Sequence, residues 1–142
     1  MAEFPSEKIR FSSTKVTVFV PSTNAKQKFI GSKKFQNRIR TTQNFLTKGR
    51  KPFQAFGGTT TIKSVGTFKS GNKVIRERIG LVSAYVPKDK FSKSDRKALN
   101  SFFRDKRKTW GQIALSVGHQ TKTRPEGLYF YEEENPQEVK EV

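Results

Sequence analysis

The 142-residue chain has no cysteine and a single histidine, tryptophan and methionine. Without thiols there is neither a disulfide framework nor a thiolate metal site. This composition fits a reducing compartment, and a cytoplasmic location is expected. No stretch approaches the roughly 18 apolar residues that a membrane span needs, so no membrane partner is expected. The opening Met1-Ala2-Glu3-Phe4-Pro5 lacks the basic-then-apolar order of a signal peptide. No carboxylate pair has a metal-ligand spacing on rigid structure, and no metal is expected. Gly57-Gly58-Thr59-Thr60-Thr61 precedes a strand, whereas a P-loop requires GxxxxGK(S/T) before a helix. No cofactor is expected, and neither a helix-turn-helix nor a zinc finger is legible.

The largest absence is of acidic residues. From Lys8 to Arg76 there is no Asp or Glu, against 16 Lys and Arg. The end from Glu126 to Val142 reverses this, with six Glu against Lys140. The whole chain carries a formal net charge of +17. So lopsided a distribution attracts polyanions, and nucleic acid, RNA or DNA, is the first expected partner.

The apolar residues are few but patterned. Lys15-Val16-Thr17-Val18-Phe19-Val20 alternates and reads as a strand. Phe35, Ile39, Thr42 and Leu46 form a helical stripe, with Ser32 as N-cap, Gly49 as the residue after the helix and Pro52 preventing its resumption. Thr59 to Phe68 and Val74 to Val86 form a hairpin around Lys69-Ser70-Gly71-Asn72-Lys73. A slip in alternation between Ile62 and Val65 predicts a bulge near Ser64 to Gly66. Ser92 to Asp95 resembles a capping box opening a second helix with Leu99, Phe102 and Phe103 on one side. Ile113 to Gly118 reads as a strand, and Leu128 to Tyr131 as a short further one.

The order β-α-β-β-α-β predicts an α+β, ferredoxin-like split βαβ domain: an antiparallel sheet with both helices on one face. The expected organisation is an N-terminal extension over 1–13, the basic domain over 14–119, and a C-terminal segment with a mobile acidic tail over 120–142.

Cations without counter-charge concentrate around the first helix: Lys26, Lys28, Lys33, Lys34, Arg38, Arg40, Lys48, Arg50 and Lys51. Such a run suits phosphate contacts, and Phe53 in a Gly/Pro loop suits stacking on a base. In the hairpin, placing Ile75, Ile79 and Leu81 toward the helices sends Arg76 and Arg78 to the open face, joined by Lys63, and turns Glu77 inward. These residues define the expected nucleic-acid surface, with single strands slightly favoured. Two alternatives stand beside it. One is an adaptor binding an acidic protein, or a homo-oligomer pairing through the sheet. The other is a small nuclease using His119, taken to lie in a loose segment after the last strand, as general acid or base.

Overall fold

The computed structural model describes residues 14–48, 58–70, 72–85, 92–112, 114–121, 123 and 127–132. Seven elements follow one another: β1 (Lys15–Pro21), α1 (Ser32–Lys48), β2 (Thr60–Ser70), β3 (Lys73–Tyr85), α2 (Lys93–Thr109), β4 (Ala114–Gln120) and β5 (Gly127–Glu132). They form one antiparallel sheet in the order β2-β3-β1-β4-β5. The first four strands have the split βαβ arrangement, and β5 adds a fifth at the β4 edge. Neither helix is long and apolar enough to cross a membrane.

Both helices cover one face because the alternation of β1 supplies it. Val16, Val18 and Val20 are buried there with Phe35, Ile39 and Leu46 of α1 and Leu99 and Phe103 of α2. Phe45 and Phe102 stack at 3.9 Å between the two helices. The stripe Phe35, Ile39, Thr42, Leu46 is the buried side of α1, as its spacing predicts. The capping box of α2 is present, with Ser92 and Asp95 bonding each other's backbone amides. Such a cap contributes about 1 kcal/mol.

Two expectations about the hairpin are corrected. The β2–β3 register runs unbroken from Thr60↔Ser83 to Ser70↔Lys73, so there is no bulge at Ser64 to Gly66. The parity of β3 is also the reverse of that expected. Gly80, Val82 and Ala84 face the helices, together with Arg76 and Arg78; Ile75, Glu77, Ile79 and Leu81 face the other way. The reason is steric. A Cβ on Gly80 would lie 2.8 Å from Ile39 Cδ1, so α1 sits directly over a residue with no side chain. Small residues bring the helix close, and the larger Ile79, itself buried, and the half-buried Leu81 lie on the opposite face.

Candidate active site

The loop joining β1 to α1 is built on Asn24. Its Oδ1 accepts from the Lys26 and Lys28 amides, and its own amide donates to the Lys28 carbonyl. Gln27 takes the left-handed conformation (φ 61°) that closes this turn, and Thr23 pairs with Phe29 across it. Residues 24–28 thus form a tight turn ahead of α1.

Arg38 anchors that loop from α1. Its guanidinium donates to the carbonyls of Pro21 (2.8 Å), Thr23 (2.9 Å) and Trp110 (3.3 Å), and lies over the Trp110 ring. Gln112 Nε2 also donates to Thr23 O and Trp110 O. Burial lowers the Arg38 pKa, and the charge of Glu77 partly restores it. An arginine saturated by backbone carbonyls holds the fold together and is not free for a phosphate.

These bonds fix Thr23, whose hydroxyl donates to Glu77 Oε2 at 2.6 Å. Glu77 is half-buried on the open face of β3, opposite Gly66. Its position is unusual in electrostatic terms. The described residues contain three other carboxylates. Asp95 closes the α2 cap, Asp105 pairs with Lys106 at 3.4 Å, and Glu132 ends the edge strand. Glu77 is therefore the one oriented carboxylate on the central hairpin, beneath a body rich in cations. Sequence reasoning placed it beside the core because it took the wrong parity for β3; its isolation in an acid-free stretch was the available signal.

The other residues singled out in the sequence fall into four groups. Lys26 and Lys28 lie exposed in the Asn24 turn, and Lys33, Lys34, Arg40 and Lys48 are exposed along α1. Lys63, Arg76 and Arg78 are exposed on the helix side of the hairpin, not on the open face. Arg38 is structural. Arg50, Lys51 and Phe53 lie outside the described residues. The structure thus brings Lys63 and Arg78 near the start of α1, where they line one pocket with Ser32 and Gln36. His119 lies inside β4, opposite Val16, with its ring 5.7 Å from that of Tyr129 and its Nε2 buried. It is part of the sheet, not of a loose segment. Among the described residues no three metal-ligating side chains gather.

The fold and site define an α+β domain with one sheet face that neither described helix covers and one oriented carboxylate on it. No protein-family model matches the chain, and no curated protein matches it. Among solved structures it is similar to a phage SAM (S-adenosylmethionine) lyase in complex with S-methyl-5'-thioadenosine, with a TM-score of 0.61 and 12% identity over 89% of this chain and 95% of that one. It is equally similar to a phage SAM lyase in the apo state, with a TM-score of 0.61 and 12% identity over 95% of this chain and 98% of that one. The likeness is one of fold. It nevertheless corrects the expectation of a nucleic-acid-binding function, for RNA and DNA alike. The architecture that the charge was taken to present to a polymer is shared, over nearly the whole chain, with an enzyme named for a small molecule. Net charge reports attraction to anions in general and does not identify a site.

Proposed function

We propose that this protein is a lyase that cleaves S-adenosylmethionine and releases S-methyl-5'-thioadenosine. The observation that carries this is the reciprocal, nearly full-length match to phage SAM lyase, one form of which holds that molecule. The balance of the reaction is simple. The bond between sulfur and the γ-carbon of the methionine part breaks, and sulfur keeps the electron pair and becomes a neutral thioether. The γ-carbon then completes its valence within its own four-carbon fragment, by bonding to an oxygen of the fragment's carboxylate to close a lactone, a step that releases no proton. No water and no second substrate enters.

The substrate carries a sulfonium and an ammonium against one carboxylate. A protein of net charge +17 repels such a cation unless an anion is set to receive it. Glu77 fits that role, since Thr23 fixes its direction and the Arg38-anchored loop fixes Thr23. We assign Glu77 to the cationic part of the substrate.

The test is incubation of the purified protein with S-adenosylmethionine, with chromatography for S-methyl-5'-thioadenosine and mass analysis of the four-carbon product. Glu77→Gln keeps the shape and an acceptor for Thr23, so it should fold normally while losing activity by about tenfold or more, each decade corresponding to about 1.4 kcal/mol. Absence of thioether product from the unaltered protein would refute the activity. An unchanged rate in Glu77→Gln would remove Glu77 from the site.

The open face also supports self-association through the sheet. Ile62, 58% exposed, adjoins Leu81 and Phe19 on this face, and Phe130, 57% exposed, lies on the far edge strand; a contiguous apolar run of this kind marks an interaction surface. A second copy is the occupant proposed, because like-charged bodies approach most easily where cations are sparse, and across the middle of this face, between Lys15 and Lys73 at its ends, the described strands carry none. Phe130→Glu should lower the solution mass measured by light scattering; an unchanged monomer mass in both proteins would exclude it.

A further inference from the structure

A pocket of about 230 Å³ opens on the helix side of the hairpin, beside the first turn of α1. Phe35 and Val65 give it apolar walls, Ser32 and Gln36 supply neutral hydrogen-bonding groups, and Lys63 and Arg78 supply all of its charge. Lys63 lies opposite Gly80, and Arg78 opposite Val65, so the two cations are diagonal neighbours on one face. Like charges so placed repel each other. Neither has an ion-pair or hydrogen-bond partner among the described residues. Arg78 is nonetheless oriented, because its guanidinium stacks 5.3 Å from the centroid of Phe29, on the loop that Asn24 and Arg38 hold. Lys33 and Lys34 in the first turn of α1, which has no acidic residue, add to the same positive field.

We propose that this pocket binds a small phosphate dianion, inorganic phosphate or a phosphate monoester, clamped between Lys63 and Arg78 with Ser32 and Gln36 donating to its oxygens. A dianion offsets both cations at once, whereas a carboxylate leaves one uncompensated. Charge-assisted bonds to Arg and Lys are the strong kind. The site goes beyond the lyase assignment and does not depend on it. Glu77 leaves β3 on the opposite face and is not a wall of this pocket, so either site can fail alone.

The experiment is an NMR titration of the full chain with inorganic phosphate and, separately, with glycerol phosphate. Acetate and sodium chloride at matched ionic strength serve as controls. The expected result is saturable shifts of the Ser32, Gln36, Lys63 and Arg78 amides, while the basic end of α2 at Arg104 to Lys108 responds only to ionic strength. In the double variant Lys63→Gln/Arg78→Gln the dissociation constant should weaken at least tenfold. Both side chains are exposed, so the fold should survive, as an unchanged spectrum elsewhere would verify. Saturation by glycerol phosphate but not by inorganic phosphate assigns the site to monoesters; saturation by both assigns it to the phosphate group alone. Equal shifts with sodium chloride, equal affinity for acetate, or an unchanged constant in the double variant would each overturn the proposal.

Discussion

The two faces of the sheet divide the chemistry of this chain. The helix side holds the core and, where the hairpin runs past α1, the cations Lys63, Arg76 and Arg78. On the open face, Thr60, Ser83, Thr17, Gly118 and Leu128 run straight across all five strands. Ile62, Leu81 and Phe19 follow, with Ser116 and Phe130; then Ser64, Ile79 and Pro21, with Ala114 and Glu132. None of these fifteen positions is Lys or Arg; the cations that the described strands place on this face lie at its ends, Lys15 opposite Tyr85 and Lys73 opposite Ser70. The positive charge is thus thin across the middle of that face and is not a uniform coat. A total charge cannot reveal that, and so it did not identify the function.

Matched substitutions on the two faces should show the largest contrast. Phe103 is 1% exposed under the helices, and Phe103→Ala should cost about 3–5 kcal/mol in urea unfolding. Phe130→Ala, on the open face, should change the stability of the isolated chain by less than about 0.5 kcal/mol. Equal losses would mean that the open face is part of the folding core. Gly80→Val tests the parity of β3 itself. The added side chain meets the fully buried Ile39, and overpacking of this kind costs about 1–3 kcal/mol. A neutral result would show that α1 does not rest on Gly80.

The smallest effect concerns pH. Tyr131 lies on the helix side of β5, where its hydroxyl donates to Asn100 Oδ1 at 2.5 Å and its ring meets Phe103. Burial raises its pKa above the ordinary 10.0; Arg104 lowers it somewhat, and Tyr129 raises it. A phenol harder to ionise folded than unfolded contributes stability that is complete below about pH 10, its unfolded value. That contribution falls as pH rises through 10 toward the higher folded value. Tyr131→Phe should flatten this alkaline decline in thermal melts between pH 9 and roughly 11, a window set by the direction of the shift. An identical decline in the variant would assign it to other groups.

Much of the fold was legible because local rules agree with one another. The 3.6-residue stripe of α1, the Ser92/Asp95 box and the alternation of Val16, Val18 and Val20 each describe one element and require no knowledge of its neighbours. The site was much less legible. Arg38 reads as one more free cation until its three carbonyl partners, from residues 15 to 72 positions away, are in view. Glu77 was conspicuous in sequence, yet its bond to Thr23 spans 54 positions.

The sequence by itself determined the element order, the two amphipathic helices, the hairpin and the charge asymmetry, because each is written in neighbouring residues. Only the tertiary structure decided which half of β3 faces the core. Alternation divides a strand into two sets and does not say which is inside. Ile79 and Leu81 are the more apolar set, but α1 packs where Gly80 lets Ile39 approach. That choice sends Arg78 to a pocket beside α1 and Glu77 to the open face, and so sets the surroundings of both proposed sites.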